Sequence, residues 1–310
     1  MHSEKKINRV AIIGCRHFSA ANLYSLLMNG VVGELVLVDD GDCRGLLEEV
    51  AELQKAVPPI APGKILSGDL RDAAESDVAV LAAGENKKPG ESRLAWLRGN
   101  ASIIARIARG LRDNNFRGVL LNTTGPVDLL TEIALEESGL SAGRVIGSGK
   151  GLDAEEWPAI SNDRATGETD APPAAVWCAA LTAKTPIMDY CRPGCPEFDK
   201  MIEADKNKTG GRVRSGDYPL FSVGSCVTRI CEAILRDERM ILPVWAMTDG
   251  QYGVKGVYLN LPCIIRRSGV EDIIKIRISP EEERELLDSA ELTRRVYNKL
   301  KEKKKVSSAK

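Results

Sequence analysis

Residues 7–19 read Ile7-Asn8-Arg9-Val10-Ala11-Ile12-Ile13-Gly14-Cys15-Arg16-His17-Phe18-Ser19, and after a helical stretch the chain continues Glu34-Leu35-Val36-Leu37-Val38-Asp39. A buried apolar run, a glycine turn, a helix, a second apolar run and a terminal acid follow the order of a nucleotide-binding βαβ unit. In the three-glycine fingerprint of such a unit, the first glycine permits the tight turn. The second lets backbone approach a pyrophosphate, and the third lets helix and strand pack closely. Gly14 holds the first position, while Arg16 and Ser19 hold the second and third. The order of elements is kept and most of the glycines are gone.

Outward from that unit, apolar strand candidates recur at Val10–Ile13, Leu35–Val38, Lys64–Ser67, Val78–Ala82, Val119–Asn122 and Arg144–Ile146. Helical stretches lie between them, notably Arg93–Arg112 and Val127–Glu137. Continuous apolar strands joined by helices predict a parallel sheet covered on both faces. From about residue 240 the pattern changes. Closely spaced runs at Ile241–Met247, Val254–Leu259, Cys263–Arg266 and Ile273–Ile278 predict an antiparallel sheet. Ser279-Pro280-Glu281-Glu282 reads as the start of a last helix, with an N-cap serine, proline at the first helical position and a capping-box glutamate. The basic run Lys299–Lys305 reads as its frayed, solvated end. Residues 158–217 carry Pro158, Pro172, Pro173, Pro186, Pro193, Pro196 and the pair Gly210-Gly211, which predict loops. The expected fold is α/β: a doubly wound parallel sheet over residues 1–147, then an α+β unit over residues 148–310.

The charge balance, 43 Lys and Arg against 44 Asp and Glu, argues against a general role on nucleic acid or on a membrane surface. No apolar run reaches the roughly 18–20 residues that span a bilayer. Met1 to Lys6 lead straight into the first strand and leave no room for a signal peptide, so a cytoplasmic location is expected. Of eight cysteines, Cys226, Cys231 and Cys263 fall in apolar segments and read as free buried thiols. Cys191 and Cys195 have no histidine near them, and a zinc site usually needs about four ligands, so no metal is expected. There are two histidines in all, His2 and His17.

Several strings carry a resemblance. Gly84-Glu85-Asn86-Lys87-Lys88-Pro89-Gly90-Glu91-Ser92-Arg93-Leu94 resembles the mobile active-site loop of L-lactate dehydrogenases. Gly125-Pro126-Val127-Asp128, Arg144-Val145-Ile146-Gly147-Ser148-Gly149 and Leu152-Asp153 follow in that family's order. Asp249-Gly250-Gln251-Tyr252-Gly253, Gly256-Val257-Tyr258, Leu261-Pro262 and Ser268-Gly269-Val270 are similar to its carboxyl-terminal sheet. The resemblance to the lactate/malate dehydrogenase family covers about residues 8–157 and 218–300 in register. It implies a Rossmann-type first domain, an α+β second domain, and a homodimer or homotetramer.

Position by position, the resemblance keeps some chemistry. The loop arginine that polarises the substrate carbonyl corresponds to Arg93, and the aspartate that orients the catalytic histidine corresponds to Asp153. The ribose-binding acid corresponds to Asp39, and the substrate-discriminating position of the loop to Lys87. Other parts are lost. The arginine that grips the substrate carboxylate as a bidentate pair is replaced by Glu156, which inverts the charge. The asparagine before the motif proline is Gly125, although the Pro126 bond can still be cis as in the family. The substrate-contacting threonine falls on Tyr218 or Pro219. The general acid/base histidine belongs within about residues 178–184, where the chain reads Cys178-Ala179-Ala180-Leu181-Thr182-Ala183-Lys184. Loss of such a group costs about 10²–10⁴ in rate.

For the cofactor, Arg16 either obstructs the phosphate site or turns outward and binds an anion. The residues favour a cleft filled by Arg16 and His17 over one holding NAD. Lys184 reads either as a substitute proton donor or as an exposed turn lysine before Pro186. Trp96 and Trp157 fit a filled substrate cavity and an ordinary core equally. Three functions follow: a catalytically degenerate member that binds another small anionic molecule or nothing, an NAD-dependent oxidoreductase with a non-standard proton donor, or a non-catalytic partner of an active paralogue.

Overall fold

The computed structural model describes residues 7–14, 30–38, 63–148, 220–275 and 280–307, with positions 23, 26, 27 and 55 between them. The strands are β1 (Arg9–Ile13), β2 (Glu34–Val38), β3 (Lys64–Gly68), β4 (Val78–Leu81), β5 (Val119–Asn122), β6 (Val145–Ser148), β7 (Met240–Asp249), β8 (Lys255–Arg266) and β9 (Gly269–Ile273). The helices are α1 (Leu70–Ala74), α2 (Arg93–Asp113), α3 (Val127–Ser138), α4 (Leu220–Arg236) and α5 (Pro280–Ser307).

Among the described residues, nine strands join one sheet in the order β3-β2-β1-β4-β5-β6-β7-β8-β9. The first six run parallel, and β7, β8 and β9 continue the sheet antiparallel. The change from parallel to antiparallel therefore falls between β6 and β7, where Gly147 faces Trp245. This is the expected α/β architecture, a Rossmann-type parallel sheet followed by an α/β second unit.

The apolar runs read as they do because both faces are covered. Val10, Ile12, Val78, Val80, Val119 and Leu121 point to a layer that includes Val227, Ile230 and Ile234 of α4. Their neighbours Ala11, Ile13, Ala79, Leu81 and Leu120 point the other way, to Ile104, Ile107 and Leu111 of α2 and Leu130 and Ile133 of α3. Period-two alternation into two apolar layers leaves no polar face to interrupt the run. Helix α5 spans both layers, with Leu286 and Ala290 in the first and Tyr297 and Leu300 in the second. It is tied to α3 by Thr293, which donates to Asp128 at 3.2 Å, and by the Lys301–Glu136 pair. Cys231 and Cys263 are buried free thiols, and burial pushes the Cys231 thiol up to about 12; Cys226 is half-buried and in no disulfide.

Three strand expectations change. Arg144 lies in a single 3-10 turn, Ala142–Arg144, and the strand starts at Val145. The runs Val254–Leu259 and Cys263–Arg266 are one strand, and Pro262 passes through it facing Pro243 across β7. The Pro262 carbonyl accepts from Ile274, so its nitrogen also faces the β9 side and the β7 ladder loses no donor. The last strand is Gly269–Ile273, starting earlier than the apolar pattern suggests. It is the outermost strand, and its exposed Glu271 and Asp272 are the charges an edge tolerates. Of the predicted Ile273–Ile278 run, residues 276–278 lie outside the described residues, as does the whole of 158–217.

Candidate active site

The strand order reverses between β1 and β4, and in open α/β sheets the crevice beyond the carboxyl ends at such a point is where ligands bind. Three chain segments meet there. Gly14 follows β1 with φ +84, and its amide donates to the Val38 carbonyl at 2.9 Å. A Cβ on Gly14 would lie 2.5 Å from the Ala83 Cα, so the turn needs glycine both for its conformation and for contact with the segment after β4. That segment is fixed in turn by the loop after β5. Thr123 Oγ1 donates to the Leu81 carbonyl at 2.8 Å, and Thr124 Oγ1 donates to the Ala83 carbonyl at 2.7 Å.

Asn122 shapes the next turn from inside. Its side chain is fully buried; Nδ2 donates to the Thr124 carbonyl (3.2 Å) and Thr131 Oγ1 (3.0 Å), and Oδ1 accepts from the Thr124 amide (3.1 Å). The turn holds the Gly125-Pro126 peptide, which is cis as the resemblance implied, and α3 starts at Val127. A Cβ on Gly125 would meet nothing within 4 Å among the described residues.

The 84–92 loop leaves this platform through a clamp. Asn100 of α2 is 2% exposed; its Oδ1 accepts from the Glu85 amide at 2.7 Å, and its Nδ2 donates to the Glu85 carbonyl at 3.2 Å. Trp96 Nε1 donates to the same carbonyl. Trp96 is half-buried and packs against the apolar layer of α2, the core role expected of it, while its Nε1 also holds the loop. Beyond Glu85 the loop is exposed, including Lys87, with Lys88 paired to Glu85 at 3.1 Å. Ser92 closes it as the N-cap of α2, accepting from the Ala95 amide at 3.1 Å, and Arg93 is the first helical residue.

Of the expected site residues, Gly14 follows β1, Gly125 lies in the turn after β5, Lys87 sits on the exposed 84–92 loop and Arg93 begins α2. Arg16, Ser19, Asp39, Asp153, Glu156 and Lys184 lie outside the described residues, as do Cys191, Cys195 and Trp157. Asn100 and Asn122 were not anticipated. The signal for Asn100 was present: it interrupts an apolar stripe running through Leu97, Ile104, Ile107 and Leu111 of α2. A polar residue on a buried helix face needs a partner. Among the described residues no helix is long and apolar enough to cross a membrane.

Comparison with known proteins agrees with this geometry. Residues 8–147 match the lactate/malate dehydrogenase NAD binding domain, and residues 218–304 match the alpha/beta C-terminal domain of the same family. The L-lactate dehydrogenase of Priestia megaterium is 30% identical, with 95% of this chain and 97% of that protein covered. L-lactate dehydrogenase 1 of Clostridium acetobutylicum is 32% identical, covering 92% and 96%. Among solved structures, the ligand-bound minor L-lactate dehydrogenase of Enterococcus mundtii superposes with a TM-score of 0.74 at 25% identity, covering 95% of this chain and 99% of that one. A lactate dehydrogenase from a Medee basin deep-sea metagenome library gives 0.72 at 26%, covering 96% and 99%. With both of its domains matched in order, the chain belongs to the lactate/malate dehydrogenase family.

Proposed function

We propose that this protein keeps the nucleotide-binding frame of its family and has lost the family's hydride-transfer chemistry on lactate or malate. One observation carries the reading. The chain has two histidines, His2 and His17, both before the first βα turn is complete, so its second half offers no imidazole as general acid/base. Two further positions point the same way: Glu156 carries negative charge where a substrate carboxylate would be gripped, and Gly125 has no polar side chain. Asp153 is then left without the histidine it would orient, and Lys184 is assigned no proton-donor role.

NAD, when bound, supplies or accepts a hydride. The residues that would hold it are Gly14, Arg16, Ser19 and Asp39. The φ of Gly14 and its close approach to Ala83 suit the tight turn such a ligand needs, and the match to an NAD binding domain supports a seated nucleotide over a cleft filled by Arg16 and His17. Arg16 would supply charge to the pyrophosphate, and Asp39 would accept from ribose hydroxyls. Lys87 and Arg93 leave room for a small anionic molecule beside it. The chain acts as a ligand-binding protein and self-associates as a homodimer or homotetramer, as its family commonly does.

The test is an NADH oxidation assay with pyruvate and with oxaloacetate. A typical enzyme turns over at about 10 s⁻¹, and loss of the acid/base alone lowers this to roughly 10⁻¹ s⁻¹ or less. Adding the inverted carboxylate anchor, the expected rate is below roughly 10⁻² s⁻¹. A rate near 10 s⁻¹ with either 2-oxo acid would sink the reading.

A further inference from the structure

A cavity of about 560 Å³ opens at the amino ends of β4, β5 and β6, on the edge of the sheet opposite Gly14 and the 84–92 loop. It is lined by Ser76 ahead of β4, Arg117 ahead of β5 and Arg144 ahead of β6, and it is closed by the β8–β9 hairpin. Ser76 is 5% exposed, and its Oγ has no hydrogen-bond partner among the described residues. Buried hydroxyls are nearly always bonded, so this unpaired one, just behind the cavity wall, leaves that wall short of a partner.

The carboxylates around the cavity are already engaged. Glu75 pairs with Arg9 at 2.6 Å, and Asp77 accepts from the Arg9 amide at 3.1 Å. Asp237 takes both arms of Arg266 at 3.1 Å and the Arg267 amide at 3.0 Å, while Glu271 pairs with Arg239 at 3.1 Å. The remaining capacity is donor capacity. Among the described residues Arg144 uses only NH1, at 2.6 Å from the Arg117 carbonyl and 3.5 Å from that of Gly118, which leaves Nε and NH2 open there. The exposed Arg117 guanidinium makes no hydrogen bond or ion pair among the described residues. The Arg144 bond to the Arg117 carbonyl keeps the two arginines on adjoining strand ends.

We infer that this cavity is a second ligand site, for a small anion with several oxygens such as a phosphate ester or a polycarboxylate, held by Arg117 and Arg144 with the Ser76 hydroxyl as a further donor. Two guanidinium groups with open donors, beside carboxylates that already hold partners, favour an anionic ligand. The planar guanidinium fork matches paired oxygens of such an anion. An amine or a cation would meet carboxylates that already hold partners. The site stands at the opposite sheet edge from the nucleotide crevice, so it holds whether or not that crevice performs chemistry.

Calorimetric titration of the full chain with inorganic phosphate, and separately with citrate, at low ionic strength tests it. Saturable binding of at least one anion is expected, weakened about tenfold or more in Arg117→Ala and severalfold in Ser76→Ala. Arg117 is exposed, so its replacement leaves the fold intact, and thermal unfolding without ligand verifies this for both variants. Phosphate alone identifies a phosphate-ester site, citrate alone a polycarboxylate site, and binding of both a site open to either. Absence of saturable binding, or unchanged affinity in either variant, overturns the site.

Discussion

The two ends of the parallel sheet are held by different chemistry. At the carboxyl ends of β1, β4 and β5 the ties are neutral, short and buried: Thr123 and Thr124 to the Leu81 and Ala83 carbonyls, Asn122 within its own turn, and Gly14 against Ala83. At the amino ends the ties are charged and near water: Arg9 with Glu34 at 2.6 Å and Glu75 at 2.6 Å, and Arg266 with Asp237. Cutting a buried neutral tie leaves a dry orphan partner. Cutting a surface ion pair leaves groups that water and salt accept readily. The carboxyl end is thus a stiff platform from which the 84–92 loop reaches, whereas the amino end tolerates change and keeps arginines open.

The largest break in that comparison comes from Gly14→Ala. The positive φ costs roughly 1–2 kcal/mol, and the overlap with Ala83 adds roughly 1–3 kcal/mol. Urea unfolding is expected to show a loss of about 3 kcal/mol or more; a loss under about 1 kcal/mol would mean the turn is not built on that contact. Asn122→Ala is next, at roughly 2–3 kcal/mol, because it orphans the Thr124 amide inside the turn. An unchanged urea midpoint for this variant would remove Asn122 from the platform.

Glu132 sharpens the contrast with a titration. Burial between α3 and α5 pushes its carboxyl up to about 7; Glu136 and Asp128 add to this, and Lys301 and Arg294 oppose it. A carboxyl whose folded pKa is raised gives stability that is fully present below its unfolded pKa near 4.5 and is lost as pH rises through about 7. Glu132→Gln should therefore match the parent at pH near 4 and exceed it by roughly 1 kcal/mol near pH 8, after allowance for partial exposure. Equal stability of the two proteins at both values would place the carboxyl in water. The smallest effect belongs to the amino end. Arg9→Ala should cost about 1 kcal/mol or less, and about 1 M salt should shrink the difference. A salt-independent loss as large as that of Asn122→Ala would erase the contrast between the two ends.

The parallel half was legible because each strand is an unbroken apolar run packed on both faces, and no other element type explains such runs at that spacing. Pro262 misled, because a proline breaks a strand only where its missing N–H faces a ladder, and facing is set by register. The β9 edge was misread because charge at an outer strand is a tolerance rather than a pattern. As candidates, Gly14, Lys87, Arg93 and Gly125 could be named because strings that resemble the family's motifs carry them. Asn100, Asn122 and Trp96 could not be assigned, because their partners are backbone groups whose positions exist only once the loops are folded.

The account rests most directly on a nucleotide still seating at Gly14. Titration of the purified chain with NADH, followed through its four tryptophans, measures this. Saturable quenching, weakened by Asp39→Ala, is the predicted result. A flat response at millimolar NADH would contradict it and leave the crevice filled by Arg16 and His17.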